Sequence, residues 1–217
     1  MIRVIVADDH HLVRQGICAL LDKAPDMEVV GEAEDGMAAL ELVRRTPPDI
    51  LVLDLAMPRM NGIQTIERVQ ALGGRTRVVV LSMYSDETLV RQAIRSGAAG
   101  YLLKRSVTEE LLLAIRAATR GETYLSPSVS RVLVEAVRQE GTGHKGQVLL
   151  DRLTPRERQV LQLVAEGCSN GEIGNTLGVS KKTVEKHRGN LVAKLGVKDL
   201  ASLIRIALKQ GVIFLEE

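Results

Sequence analysis

The sequence predicts two folded parts, an α/β domain built on a five-stranded parallel sheet and, after it, a small all-α domain. Five short apolar runs alternate with segments of helical periodicity over residues 1–120. Right-handed crossovers place such helices on both faces of a parallel sheet. From Leu153 onward the apolar residues recur at helical spacing alone. We therefore divide the chain into an α/β domain, a connecting segment that contains a helix, and a helical domain, at residues 1–120, 121–150 and 151–217.

The first domain begins with a strand, and strands and helices then alternate to its end. A helix is predicted where apolar residues share one helical face, as Leu12, Ile17 and Leu21 do. Strands are expected at residues 2–7, 27–33, 49–54, 77–82 and 100–104. Helices are expected at residues 11–24, 38–44, 63–72, around 89–94 and around 107–118. The connecting segment is expected to hold a helix at 129–139 and a flexible glycine-rich linker at 141–146.

The composition is that of an ordinary globular protein of 217 residues, with 45% hydrophobic and 26% charged residues. No apolar run approaches the roughly 18–20 residues that span a bilayer, and the N-terminus shows no signal-peptide pattern. We therefore expect a cytoplasmic protein without a membrane partner. Cys18 and Cys168 lack a metal-like spacing and are expected to be free thiols.

Chemically active side chains follow four of the predicted strands. The first strand closes on Asp8-Asp9, the third on Asp54, the fourth on Ser82 and the fifth on Lys104. In a parallel sheet these ends share one edge, where α/β proteins bind ligands. Three clustered carboxylates need a cation, and oxygen ligands of this kind suit Mg²⁺. Because a carboxylate can also attack phosphorus, the residues predict a phosphoryl site with Asp54 as acceptor and Ser82 and Lys104 beside the phosphoryl oxygens.

The order and spacing of these residues, with Met57-Pro58 and Asn61-Gly62 after Asp54, resemble the receiver domain of bacterial two-component response regulators. The resemblance covers about residues 1–120 and implies the flavodoxin-like strand order 2-1-3-4-5. It implies that Asp54 accepts a phosphoryl group from a sensor histidine kinase. It also implies that Asp9, Asp54 and the carbonyl of Ala56 bind Mg²⁺, while Asp8 acts through water.

The same resemblance implies a switch behind the phosphoryl site. Ser82 would move towards the phosphoryl group, and Tyr101 would turn inward behind it. Tyr101 also fits the pattern of a plain strand residue. Tyr84, two residues after Ser82, is a bulky neighbour that we expect to limit access and slow the loss of the phosphoryl group.

The second domain is predicted to contain a helix-turn-helix. Thr154 is the expected cap of its first helix, and Glu157 three residues later completes a capping box. A second helix is expected at residues 170–177 and a third, capped by Ser180, at 181–195.

The third helix has an apolar stripe and a basic face. Residues 181–198 contain six Lys or Arg and one acid, an excess of base typical of surfaces that meet phosphates. A solvated surface helix would show a similar pattern. The helix-turn-helix context favours insertion into the major groove of DNA.

Three motifs in this domain resemble the LuxR-type DNA-binding domain of the NarL/FixJ subfamily. They are LTPRERQVL from Leu153, SNGEI from Ser169 and VSKKTVEKH from Val179. By position, the resemblance implies that Glu185, Lys186 and Gly189 face base edges and that Lys181, Lys182, Thr183 and Lys194 meet phosphates. Gly189 lacks the longer side chain often found at its position in the family and so removes a possible base contact. It also implies dimerisation through the C-terminal helix at residues 200–210.

The second helix of this domain carries two glycines. Gly171 and Gly174 stand where Lys and Ala are the usual choices in the family. A glycine inside a helix costs about 0.5–1 kcal/mol relative to Ala, so we expect a soft scaffold helix.

Together these features predict a transcriptional regulator switched by phosphorylation of Asp54. Phosphorylation would release the helical domain, and a homodimer would then bind paired half-sites on double-stranded DNA. We expect no enzyme beyond Mg²⁺-dependent acceptance of a phosphoryl group and its slow loss. One alternative is a metal-dependent phosphatase with the same aspartyl chemistry, although Ala56 stands where its second acid would be needed. The other is an interaction protein whose helical domain binds protein.

Overall fold

The computed structural model describes residues 1–139, 149–197 and 199–214 of the chain. The chain divides into two compact units, Met1–Gly143 and His144–Glu217. The glycine-rich stretch at 141–146, predicted to be a flexible linker, lies outside the described residues. No helix in the described parts of the chain is long and apolar enough to cross a bilayer.

The first unit is built on one parallel sheet in the order β2-β1-β3-β4-β5-β6. Its strands are β1 (Ile2–Ala7), β2 (Met27–Ala33), β3 (Ile50–Asp54), β4 (Arg77–Ser82), β5 (Ala98–Leu103) and β6 (Tyr124–Leu125). Every residue of β3 is buried, as expected of a central strand covered on both faces. The predicted α/β class and parallel sheet are therefore confirmed.

Helices cover both faces of this sheet. They are α1 (His11–Leu21), α2 (Gly36–Arg45), α3 (Gly62–Ala71), α4 (Glu87–Arg95), α5 (Val107–Thr119) and α6 (Pro127–Gln139), with a 3₁₀ turn at Lys104–Ser106. Helices α1 and α5 pack together, and α3 packs between α2 and α4. The core between α1, α5 and the sheet is aliphatic. Its buried residues include Ile17, Leu21, Val52, Leu111 and Ile115. The apolar faces of the two helices therefore pack against the apolar face of the sheet.

The sheet has one strand more than predicted. Strand β6 pairs with β5, placing Tyr124 opposite Gly100 and Leu125 opposite Tyr101. Helix α6 follows it directly and packs against α4 and β5, so this part of the expected connecting segment belongs to the first unit. A strand of two residues has no readable alternation, which is why the sequence pattern did not predict it.

The second unit is all-helical, as predicted. A 3₁₀ turn at Leu149–Arg152 precedes α7 (Pro155–Ala165), α8 (Asn170–Leu177), α9 (Lys181–Leu195) and α10 (Leu200–Lys209). The capping box at the start of α7 is present, and a second one formed by Ser169 and Glu172 starts α8. Helices α8 and α9 are joined through Gly178, whose φ of 64° is a left-handed conformation that favours glycine. This is the predicted helix-turn-helix.

The two glycines of α8 occupy different surroundings. A Cβ added at Gly171 would have Ser169 Oγ as its nearest neighbour, at 3.9 Å. A Cβ added at Gly174 would lie 2.8 Å from the carbonyl oxygen of Val179. Gly174 therefore allows the close approach of the turn to α8, whereas Gly171 has no such steric role.

We predict that Gly171→Ala stabilises the second unit by about 0.5 kcal/mol, because alanine loses less backbone entropy on folding. Gly174→Ala is the matched variant and is expected to lower stability, since the carbonyl of Val179 must move. Amide hydrogen exchange of α7, α8 and α9 in the full chain measures the opening of this unit by itself. Equal stabilisation by both variants would contradict the steric role of Gly174.

Candidate functional site

The carboxyl edge of the first sheet brings together the acids predicted from the sequence. Register places Ala7 opposite Leu53, so Asp8 follows β1 at the level at which Asp54 ends β3. Asp8 and Asp54 are only 1% and 2% exposed, while the Asp9 side chain is 25% exposed. Two buried carboxylates and a partly exposed one therefore share one end of the sheet.

Lys104 joins the two buried acids. Its Nζ lies 2.7 Å from Oδ2 of Asp54 and 2.8 Å from Oδ2 of Asp8. Register explains this position, because Ser82 pairs with Leu103 and Lys104 is the next residue. Burial opposes the charge on Lys104, but attraction to Asp54 and Asp8 outweighs it and raises the pKa of the ammonium. Lys104 is therefore a fixed positive charge beside the proposed acceptor.

The acceptor carboxyl is held in a poorly solvated position. Burial raises the pKa of Asp54 to about 6, and the charge of Asp8 adds to that shift. Lys104 and the amide of Ala56 act in the opposite direction, the amide donating to Oδ1 of Asp54 at 3.3 Å. The ammonium of Lys104 and the amide of Ala56 are thus insufficient to offset the burial of this carboxyl.

The donor atoms at this edge fit a divalent cation. Ligand atoms of Asp8, Asp9, His10 and Asp54 all lie within 4.8 Å of one another. The carboxylate oxygens among them are the donors that Mg²⁺ prefers, and their excess negative charge calls for a cation. His10, which directly follows the acidic pair, is not among the residues predicted for this site. Its amide donates to Oδ1 of Asp8 at 2.9 Å, and its Nδ1 lies 2.7 Å from Oδ1 of Asp9.

The Asn-Gly pair after Asp54 has two separate roles. Asn61 is buried and caps α3, its Oδ1 accepting from the amide of Gln64 at 3.0 Å. Gly62 packs against the end of β3, where an added Cβ would lie 2.4 Å from the carbonyl oxygen of Asp54. Only glycine therefore lets α3 start directly against the acceptor residue.

The two predicted switch residues meet through Tyr84. Ser82 is fully buried, and its Oγ accepts from the amide of Tyr84 at 3.0 Å. Tyr101 is also buried, and its hydroxyl donates to the carbonyl of Tyr84 at 2.7 Å. Burial raises the pKa of the Tyr101 phenol, so the group stays a neutral donor. The backbone of Tyr84 thus joins the end of β4 to the ring of Tyr101.

In the second unit, α9 buries an apolar stripe and exposes a polar one. Val184, Leu191 and Leu195 are its buried residues. The exposed residues include Lys181, Lys182, Glu185, Lys186 and Gly189, and Thr183 is partly buried. Ser180 caps the helix by accepting from the amide of Thr183 at 3.1 Å. Most predicted DNA contacts therefore lie on an accessible face that includes the N-terminus of α9.

Lys194 differs from the other predicted contacts. Its Nζ lies 2.6 Å from Oε2 of Glu157, a residue that is only 2% exposed. Burial alone would raise the pKa of Glu157, but hydrogen bonds from Lys194 and Thr154 lower it. The ammonium predicted to meet a phosphate is thus engaged within the unit, where it ties the end of α9 to the start of α7.

Two arginines that the sequence reasoning overlooked also fix the helix-turn-helix. Arg156 donates from Nη2 to the carbonyl of Leu177 at 2.6 Å, at the end of α8. Arg188 donates from Nη1 to Oδ1 of Asn170 at 2.6 Å, at the start of α8. No periodic signal marks either contact, because each joins residues that are distant in sequence.

Comparison with known proteins gives matches to both units. The response regulator receiver domain matches residues 4–116, and the bacterial regulatory proteins of the luxR family match residues 151–207. The transcriptional regulatory protein MctR of Rhizobium johnstonii is 39% identical over 212 residues, covering 98% of this chain and 95% of MctR. LiaR of Bacillus subtilis is 39% identical over 201 residues, covering 92% of this chain and 93% of LiaR. The solved complex of the response regulator RcsB with DNA has a TM-score of 0.58 at 29% identity, covering 94% of this chain and 96% of that chain.

We predict that Lys194→Met destabilises the second unit by about 1–2 kcal/mol, because it leaves the Glu157 carboxylate buried without its cation. The loss stays below that of a fully buried pair, since Lys194 is 38% exposed and water screens the charge. Lys186→Met removes an exposed charge of the same helix and should leave stability unchanged. Hydrogen exchange of the α7 and α9 amides measures the stability of the unit in both variants. Equal exchange rates in Lys194→Met and Lys186→Met would show that Lys194 has no such structural role.

Proposed function

The chain belongs to the response regulators of the NarL/FixJ subfamily, with a receiver domain followed by a LuxR-type DNA-binding domain, and we propose that phosphorylation of Asp54 switches it. As a member of this family it is a DNA-binding transcriptional regulator. The geometry of Asp54 supports this proposal most strongly, because Asp54 is a buried carboxylate at the end of β3 that Lys104 bridges to Asp8. We place the protein in the cytoplasm, where a regulator of this kind meets genomic DNA.

The proposed reaction is transfer of a phosphoryl group from the phosphohistidine of a sensor histidine kinase. An Oδ of Asp54 forms a bond to phosphorus as the P–N bond breaks, and the histidine nitrogen of the kinase leaves. Lys104, now 2.7 Å from Asp54, supplies positive charge to the phosphoryl oxygens, and Ser82 donates a hydrogen bond to them. The same residues allow acceptance from a small phosphodonor and later hydrolysis, with no other substrate.

We propose that Mg²⁺ is the cofactor of this site. Asp8, Asp9 and Asp54 would hold it through their clustered carboxylates, and the carbonyl of Ala56 would supply a further oxygen. When bound, Mg²⁺ neutralises charge on the phosphoryl oxygens. Lys104 contacts both Asp8 and Asp54 at the same edge.

The proposed signal passes through Ser82, Tyr84 and Tyr101. Ser82 Oγ now accepts from the amide of Tyr84, so a Ser82 that turns to the phosphoryl group would release that amide. The carbonyl of Tyr84 accepts a hydrogen bond from the hydroxyl of Tyr101. A movement of the Tyr84 backbone would therefore also move Tyr101. Phosphorylation would thereby shift the population between two states of the receiver domain, and the state favoured by phosphate would bind DNA.

We propose that α9 is the recognition helix and enters the major groove. Lys181, Lys182 and Thr183, at its N-terminus, would meet phosphates, which helix N-termini favour. Glu185, Lys186 and Gly189 would face base edges further along the exposed side. Lys194 would add a phosphate contact further along the helix while its ammonium also binds Glu157. A homodimer formed through α10, in which Leu200 is 53% exposed, would bind paired half-sites.

We predict that Asp54→Asn abolishes phosphoryl incorporation from a small phosphodonor, because the carboxamide oxygen is a far weaker nucleophile. Asp22→Asn changes an exposed acid of the same unit and should be labelled like the parent chain. Intact-mass spectrometry measures the incorporation, and removal of Mg²⁺ by a chelator should stop it in the parent. Equal labelling of Asp54→Asn and the parent would refute the assignment of the acceptor.

We predict that Lys182→Ala weakens binding of the phosphorylated chain to all DNA duplexes alike, because one phosphate contact is lost. The negative slope of log K against log salt concentration should become shallower by about 0.9. The control is Lys23→Ala, which removes an exposed lysine of the receiver unit. It should change neither the DNA affinity nor the salt dependence. Fluorescence anisotropy over a salt series measures both quantities. An unchanged slope in Lys182→Ala would place that side chain away from the DNA backbone.

A further inference from the structure

The loop between β3 and α3, residues 55–61, contains a strained turn. The amide of Met60 donates to the carbonyl of Pro58 at 2.7 Å, and the residue between them, Arg59, has a φ of 64°. This is a γ-turn with a positive central φ, a rare and strained conformation. Among the described residues other than glycine, Arg59 alone has a positive φ. Such a conformation persists only where the surrounding structure holds it.

The side chain of Arg59 reaches across to the start of α2. Its Nη2 donates to Oε1 of Glu34 at 3.2 Å and forms an ion pair with Oδ2 of Asp35. Asp35 is only 1% exposed, and its Oδ1 caps α2 by accepting from the amide of Ala38 at 2.8 Å. A carboxylate buried to this extent needs a cation, and Arg59 provides it.

The backbone of the loop is packed tightly on both sides. A Cβ added at Gly36 would lie 2.4 Å from the carbonyl oxygen of Met60, so the start of α2 contacts the loop directly. A Cβ added at Gly62 would lie 2.4 Å from the carbonyl oxygen of Asp54, and the amide of Gly62 donates to the carbonyl of Leu55 at 3.0 Å. With its ends fixed on β3 and its tip fixed on α2, the loop has little freedom between them.

We propose that the ion pair between Arg59 and Asp35 is a positioning device for the Mg²⁺ site. It holds the loop in its strained turn and thereby fixes the carbonyl of Ala56, three residues before Arg59, beside Asp54. Neither Arg59 nor Asp35 touches the metal; both act through the backbone of the loop. The inference rests on the proposed function, because it takes the Ala56 carbonyl as a metal ligand.

Two substitutions separate the ion pair from other roles of these residues. Arg59→Gly removes the guanidinium and puts at this position the residue that adopts a positive φ without strain. Asp35→Asn removes the charge but keeps an N-cap, since asparagine caps helices as well as aspartate does. Glu34→Gln is the control, because it removes the charge of the second partner, which is 70% exposed. Circular dichroism checks that each variant is folded.

The first measurement is Mg²⁺ affinity of the full chain by titration calorimetry. Groups that orient a metal ligand typically change affinity by about 10–100-fold when removed, and we expect the lower end here, a Kd about tenfold higher in Arg59→Gly and in Asp35→Asn. The double variant should be no weaker than either single one, because the two residues act as a unit. Glu34→Gln should keep the parent Kd.

The second measurement needs no metal. Without Mg²⁺, amide hydrogen exchange at Met60 and Gly62 should be faster in both variants than in the parent and unchanged in Glu34→Gln. If the parent binds Mg²⁺ and both variants bind it equally well, the inference is refuted while the proposed function stands. A parent that does not bind Mg²⁺ would refute the proposed function and the metal role together. Unchanged exchange at both amides in both variants would on its own refute the claim that the ion pair restrains the loop.

Discussion

Lys104 bridges Asp54 and Asp8 at the carboxyl edge of the sheet, and the remaining features of the receiver unit surround this contact. Its members follow or end β1, β3 and β5, so the contact forms only when these parallel strands are in register. A single ammonium does not balance two buried carboxylates with Asp9 beside them. The remaining negative charge suits this edge to a divalent cation and, with it, a phosphoryl group. The fold therefore produces the site through strand register.

The central elements were predictable because their physical signals are strong. Each strand that carries a site residue is a short apolar run that ends abruptly at a polar side chain, as β3 does at Asp54. Strand β6 escaped prediction because two residues carry no period. The pair of Arg59 with Asp35 escaped because it joins two loops, where charged residues follow no pattern. Placing Lys194 at a phosphate relied on resemblance alone, and no sequence pattern could indicate that its ammonium reaches Glu157.

The basic excess of the second unit has two physical uses. Arg156, Arg188 and Lys194 bind a carbonyl, an amide oxygen and a carboxylate, and each contact fixes one helix of the helix-turn-helix against another part of the unit. The exposed lysines at the start of α9 are Lys181, Lys182 and Lys186. The net charge of a segment therefore overstates the charge that it can present to DNA. Charges engaged within the unit give the recognition helix a fixed orientation, and the exposed ones are available for phosphates.

If Asp54 is the switch, charge added there changes the affinity of the second unit for DNA. The most direct test measures operator affinity at one salt concentration, with Mg²⁺, before and after treatment with a phosphodonor, and the operator is selected from genomic fragments. Mass spectrometry gives the phosphorylated fraction in each sample. We expect the affinity to rise with that fraction in the parent chain and to stay constant in Asp54→Asn. An affinity that does not change although Asp54 is phosphorylated, or that rises equally in both proteins, would contradict it.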